Sequence, residues 1–238
     1  MHAHILPALD DGPADLEEAV AMARVAVAAG TRVMATTSHV HVSFGLGPDD
    51  LEPARAAVGE RLARERVPLE LVAGGEVSTR RLDALTDDDL RRLALGGGPW
   101  VLLECPFGPA DIEPHVAALQ RRGFEVLLAH PERSAAFQRD PAALGRLVER
   151  GALAQLTAGS LVGDFGALPR RIARRMLEAG WVDVLASDGH DPFGRPPDLT
   201  VAAAAVSDDR FEWMTATAPA ALLAGERHFG AINSRASR

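Results

Sequence analysis

Along most of the chain, apolar positions recur every third or fourth residue, then run together for four to seven residues, then return to the wider spacing. The first pattern predicts a helix with one buried face, the second a short strand buried on both sides. Residues 14–30 have helical spacing, with Pro13 suited to the first helical position and Gly30 to the stop. Residues 32–39 then read as a strand, 48–66 as a helix opened by Pro48 and Asp49, and 69–77 as a strand with a glycine break. A short helix over 85–95, a strand over 100–106 and a helix over 111–123 continue the alternation. Strands over 124–132, 152–159 and 181–190 bracket helices over 141–151 and 166–180, and helical segments at 198–206 and 208–224 follow. This order predicts an α/β fold with parallel strands and helices on the outside, and the number of units favours a barrel over an open sheet. No repeat or linker divides the chain, and 191–197 reads as a loop, so residues 1–238 are expected to form a single domain.

Composition narrows the chemistry. The 238 residues are 47% hydrophobic and 24% charged, a globular balance. The net charge of -8 comes without a basic block, which disfavours nucleic acid as a partner. No apolar run approaches the ~20 residues of a transmembrane helix, no signal-peptide pattern opens the chain, and a single cysteine fits a reducing cytoplasm. An oligomer stays open. All 25 basic residues are arginine and there is no tyrosine, so lysine Schiff-base chemistry, a phosphate-loop lysine and phenolic acid–base catalysis are absent. His, Asp, Glu, Arg, Ser and Cys105 are left.

These residues are not scattered. His2 and His4 stand two apart in the first extended stretch, on one side of it, and Asp10 and Asp11 occupy the turn that follows. His39, Glu76, Glu104 and His130 end successive strands, and Asp188 and His190 end the last. Strand C-termini are where α/β barrels build their sites. Taken singly, each has a plain reading: a histidine after a strand is usually a polar loop residue, and Glu76 or Glu104 could cap a helix. Together they would be a dense set of desolvated acids and bases, which divalent cations convert into binding energy. Imidazole and carboxylate donors without thiolate suit Mn, Fe or Zn. His41 lies near enough to contact a substrate, whereas His115 and His228 fall outside the pattern and read as surface residues.

The ordered motifs HAHILPALDDG (2–12), ATTSH (35–39), GGEV (74–77), LLECP (102–106), LAHPER (128–133) and ASDGHDPFGRPP (186–197) resemble the polymerase-and-histidinol-phosphatase (PHP) superfamily, and within it the bacterial metal-dependent protein-tyrosine phosphatases of the CpsB/CapC type. The resemblance runs from residue 2 to about 225. It implies a distorted (β/α)7 barrel holding three divalent ions, manganese foremost, with Fe, Zn or Mg as alternatives. By motif, His2, His4, Glu76 and Asp188 would hold one ion. Glu76, Glu104 and His130 would hold the second, and Asp11, His39 and His190 the third. Arg133 and Arg195 would bind phosphate. A metal-bridging hydroxide would be the nucleophile, and the substrate would be a phosphotyrosine protein, the tail of a tyrosine autokinase in capsule or exopolysaccharide regulation. Two departures stand out: only Met1 precedes His2, and Ser134 stands where an aromatic residue is common.

A thiol mechanism fits poorly. Thiol phosphatases need Arg six residues after Cys, but Asp111 stands there, and Pro106 and Pro109 remove amide donors from the loop. The readings that compete are another PHP phosphoesterase, acting on a small phosphate ester or nucleotide, and a non-catalytic regulator that retains the fold.

Overall fold

The structure, a computed structural model, describes residues 1–226. Asp15 starts α1 (Leu16–Ala28) by accepting from the Glu18 N–H, and Gly30, at φ 96°, lets the chain leave it. β1 (Val33–Ala35) and β2 (His39–Val40) precede α2 (Pro48–Arg64), which Pro48 opens. β3 (Glu70–Val72) and β4 (Glu76–Ser78) lead to α3 (Asp87–Leu93), whose Thr86 and Asp89 cap each other reciprocally. β5 (Trp100–Glu104), α4 (Glu113–Arg121) and β6 (Glu125–Ala129) follow. Then come α5 (Ala135–Arg139), α6 (Ala142–Glu149), β7 (Leu153–Thr157), α7 (Ala158–Val162), α8 (Ala167–Glu178) and β8 (Val184–Ala186).

The alternation matches the periodicity, with local differences. The short helices α5 and α7 are additions. The helix expected over 198–206 is a 3-10 segment, Thr200–Ala205. The one expected over 208–224 is α9 (Asp208–Glu212) and α10 (Ala218–Leu223) around a π turn at Trp213–Thr217. Among the described residues, no helix is long and apolar enough to cross a membrane. His228 lies outside the described residues.

Six strands form one parallel sheet in the order β2-β4-β5-β6-β7-β8, and β1 and β3 form a separate parallel pair. The split within each of the first two predicted strands is a shared bend. A Cβ on Gly74 would meet Thr37 Cγ2 at 3.1 Å, and one on Gly75 would meet Val40 Cγ2 at 3.1 Å and, from α3, Leu93 Cδ2 at 2.9 Å, so the two chains and the helix approach too closely there for side chains. The chains remain bonded on both sides of the bend, through Thr36 N–H to Val72 O and Glu76 N–H to Ser38 O.

The expected closed seven-stranded barrel is not found; the ladder stops between β8 and β2. Extended residues 2–4 occupy that seam. On one side they make a single bridge, Ala3 to Gly189, with bonds from His4 N–H to Gly189 O and Asp188 N–H to His2 O. On the other, Thr37 N–H donates to Ala3 O, but the Ala3 N–H goes to the Thr37 hydroxyl (2.8 Å). A side chain replaces the backbone partner that a ladder requires.

The pleat sorts β5 into two environments. Trp100 and Leu102 join Ala35, Leu127, Ala129, Val184 and Leu222 in a small inner cluster. Val101, Leu103 and Cys105 face the larger cluster under the helices. Glu104 continues the inner row, so it and its neighbour Cys105 point to opposite sides of the wall.

Candidate active site

Above the inner cluster, the strand ends and the seam bring His2, His4, Glu76, His130, Asp188 and His190 together, all buried. Their hydrogen bonds fix which ring nitrogens hold protons. Gln155 Oε1 lies 2.8 Å from His2 Nδ1, Asp10 Oδ2 lies 2.8 Å from His4 Nδ1, and the Asp188 carbonyl lies 2.8 Å from His190 Nδ1. Each of these oxygens only accepts, so each Nδ1 donates and each Nε2 turns a lone pair inward. Oxygen partners on the outer nitrogen are what orient histidine ligands for metal.

The lone pairs then crowd. His2 Nε2 and His4 Nε2 are 3.2 Å apart. Asp188 Oδ1 lies 3.4 Å from the first and 3.6 Å from the second, and Glu76 oxygens lie 3.6 Å from both. Such spacings exceed hydrogen bonds, but donors sharing one ion with bonds of about 2.1 Å stand about 3.0–3.5 Å apart. The donor set therefore fits a divalent cation. His130 Nε2 and His39 Nδ1 each approach a Glu76 oxygen at 2.7 Å, and His130 Nδ1 is buried without a hydrogen-bond partner among the described residues.

Donors within 4.8 Å of one another fall into overlapping sets: His4, Asp11, His39 and His190; His2, Glu76 and His130; His2, His4 and Asp188; and His39, Glu76 and Glu104. All the residues singled out from the sequence as ligands are in one neighbourhood. Glu104 groups with His39 and Glu76, whereas the family motif pairs it with His130. His41 lies outside the sets, on the loop after β2, its Nδ1 accepting from the Ser43 N–H. His115 is half-buried on α4.

Charge in this cluster is strongly coupled. Burial alone would raise the Glu76 pKa, but the charge of His2 and the close approaches of His130 and His39 outweigh it and hold the carboxyl well below its usual range. Asp188 behaves likewise, burial being overcome by His2, His130 and His4. Burial wins at His4, which drops to about 4, whereas the bond and charge of Glu76 overcome it at His39, which rises to about 9. Glu104 is raised by burial and by the charge of Glu76.

Asp188 Oδ2 turns the other way, to Arg133 (2.6 Å) and Arg195 (2.8 Å). The Arg133 guanidinium lies 4.9 Å from the Phe107 ring centroid and 4.2 Å from that of Phe165, which also lies 5.6 Å from Arg195. Asp188 is thus the carboxylate that pairs with both arginines. Glu132 instead accepts from Thr157 N–H and Ser160 Oγ, and Asp191 from the amides of Phe193, Gly194 and Arg195.

Four contributors were not singled out from the sequence: Asp10, Gln155, Phe107 and Phe165. Gln155 carried a signal, being a polar residue inside an apolar strand. Asp10 was indistinguishable from Asp11 beside it, and Phe165 from any loop aromatic. Cys105 is fully buried on the helix side, and burial pushes its thiol well up, with help from Glu132 and Glu104. That environment suits no nucleophile.

The family described as "Capsular polysaccharide synthesis, CpsB/CapC" matches residues 1–217. The tyrosine-protein phosphatase YwqE of Bacillus subtilis (strain 168) is 36% identical over 197 residues, covering 80% of this chain and 76% of that protein. The tyrosine-protein phosphatase CpsB of Streptococcus agalactiae is 26% identical over 216 residues, covering 85% and 86%. A solved structure from work on YwqE of Bacillus subtilis and CpsB of Streptococcus pneumoniae, described as unique metal-dependent tyrosine phosphatases, superposes with a TM-score of 0.84 at 30% identity, covering 96% of this chain and 95% of that one.

Proposed function

The chain belongs to the CpsB/CapC capsular polysaccharide synthesis family, and from that premise we propose that it is a metal-dependent protein-tyrosine phosphatase of PHP type. Its substrate is the phosphotyrosine tail of a cytoplasmic tyrosine autokinase that governs capsule or exopolysaccharide export. The observation that carries this reading is the pair of inward lone pairs on His2 and His4, 3.2 Å apart and facing two carboxylates, beside two arginines.

His2, His4, Asp11, His39, Glu76, Glu104, His130, Asp188 and His190 would hold up to three divalent ions, with manganese the first choice. When bound, such ions neutralise phosphoryl charge and lower the pKa of water so that hydroxide is the nucleophile. The remaining work belongs to the chain. Asp10 and Gln155 hold the rings of His4 and His2 in register. Arg133 and Arg195 present planar forks to the phosphoryl oxygens, and the Phe107 and Phe165 rings restrict those guanidiniums to few orientations. The leaving phenolate, with a pKa of about 10, needs little assistance. In this reading, residues 2–4 act as the seventh stave of the distorted barrel.

The test is turnover of matched phosphotyrosine and phosphoserine peptides and of small alkyl phosphates after controlled metal exchange. We expect chelator-sensitive activity favouring phosphotyrosine by at least about tenfold, some 1.4 kcal/mol of discrimination. A preference for the small esters would move the protein to another phosphoesterase class, and activity indifferent to chelation would remove the metal reading.

A further inference from the structure

The surface arginines are distributed unevenly. Along α1 to α4 several, though not all, are matched with acids: Arg24 with Glu65, Arg61 with Glu17 and Glu65, Arg92 with Asp49 and Glu52, and Arg122 with Asp87. On α8, the exposed guanidiniums of Arg170, Arg171, Arg174 and Arg175 make no ion pair or hydrogen bond among the described residues. The first three line a groove of about 510 Å³ between α7 and α8, floored by Val162, Gly163 and Ala167. In a chain of net charge -8, a concave surface with several unpaired guanidiniums is a local reversal of sign.

The groove adjoins the site. Gly163, at φ 103°, places the Arg170 side chain within 3.4 Å of where its own Cβ would be. Two residues on, Phe165 lies against Arg133 and Arg195. One short loop therefore has the site's arginines at one end and the unpaired arginines at the other. Of the acids nearest in sequence, Asp164 points back toward Gly159, whose Cβ would lie 2.7 Å from its Oδ2, and Glu178, at the end of α8, makes no ion pair with these arginines among the described residues.

We infer that this α7–α8 groove is a docking surface for Asp- and Glu-rich sequence flanking the phosphotyrosine of a polypeptide substrate. The inference rests on the phosphatase reading and adds a substrate class to it. At about 3.3 Å per extended residue, a groove starting beside Phe165 reaches acidic residues about three to six positions from the phosphotyrosine. Carboxylates there replace the missing partners of Arg170, Arg171 and Arg174. Exposed pairs are individually weak and salt-sensitive, so the effect appears in KM and fades as ionic strength rises.

The test compares two phosphotyrosine peptides, one with Asp and Glu at those positions and a twin with Asn and Gln, using the metal-loaded full chain. p-Nitrophenyl phosphate, which is too small to reach the groove, is the control. The wild type should favour the acidic peptide by about tenfold at low salt, mostly through KM. Arg170→Gln/Arg171→Gln/Arg174→Gln should erase that preference, leave p-nitrophenyl phosphate turnover and Tm unchanged, and be surpassed in effect by the triple Glu variant. Equal turnover of the twins by the wild type, or a preference that survives the triple substitution, overturns the inference. Anisotropy with an unphosphorylated acidic peptide reads the groove without turnover, so a failed phosphatase reading is told apart from a failed groove. Affinity lost in the triple variant supports the groove; equal affinity, no binding, or tighter binding of a single-stranded oligonucleotide overturns it.

Discussion

At the floor of the site, His2, His4, Glu76, His130 and Asp188 are buried and come from strand ends and the seam. At the rim, Arg133 and Arg195 come from loops and keep side-chain exposures of 16% and 32%. The floor is held from behind, with outer ring nitrogens committed to Gln155 and Asp10. The rim is held from in front, by Asp188 and by the Phe165 ring. Floor residues are thus placed by the fold and left electrostatically incomplete, whereas rim residues are long, adaptable and already paired. The lesson is that substitutions should separate: floor changes should move ion content, and rim changes should move turnover alone.

Glu76→Gln puts the separation under most strain, because Glu76 faces four imidazoles, those of His2, His4, His39 and His130. We expect ion loss by elemental analysis and a fall in kcat/KM of more than about 10³-fold. Full ion content with near-normal turnover would dissolve the distinction. Arg133→Ala and Arg195→Ala should each lower kcat/KM by about 10²–10³-fold with ion content intact. Lys at either position should rescue only partly, since a point charge cannot fork. Ions lost along with either arginine would make the rim part of the floor. Asp10→Ala sharpens the comparison, since it releases His4 Nδ1 without removing a proposed ligand. Metal affinity, read by titration, should weaken about 10–100-fold.

Asp183 supplies a contrast within one segment. It lies just ahead of β8, buried like Asp188, but with no imidazole beside it among the described residues; the Ala154 N–H at 3.2 Å and the charge of Arg210 oppose its burial and do not overcome it. Burial pushes its pKa from 3.8 up to about 7. The folded protein therefore keeps a proton that the unfolded chain has released. That stabilisation is complete below pH 3.8 and is lost as pH rises toward about 7. Asp183→Asn should flatten this slope and stabilise the protein at pH 8 by at least about 1 kcal/mol, measured by urea unfolding. An unchanged slope would mean that Asp183 is ionised in the fold. The smallest effect on turnover belongs to Cys105→Ser, one residue from Glu104 but across the wall. It should change kcat/KM by less than about twofold while lowering stability by about 1–3 kcal/mol through a buried hydroxyl. A large loss of activity in well-folded, ion-loaded protein would reinstate the thiol.

Much of the floor was legible because most of its members close an apolar run in the sequence, and such runs mark buried strands well. His39, Glu76, Glu104, His130 and Asp188 could be placed on that basis alone. What holds them was not legible, because it depends on tertiary neighbours: His2 and Gln155 are 153 positions apart. The glycine break in 69–77 was visible, but not that it answers a matching bend at Thr36–Ser38. Closure failed as an expectation because a hydrogen-bond choice at one residue, Ala3, decided it. The rim's aromatic support escaped because Phe165 sits in a loop with no periodic context.

His130 and Asp188 both adopt left-handed backbone conformations, φ 37° and 51°, which non-glycine residues enter at a cost of about 1–3 kcal/mol each. A screen for thermal tolerance alone would therefore enrich Gly or Asn at these two positions, and the sturdier the survivors, the less chemistry they would retain. Any laboratory evolution of this scaffold has to select for turnover in the same round as for heat resistance.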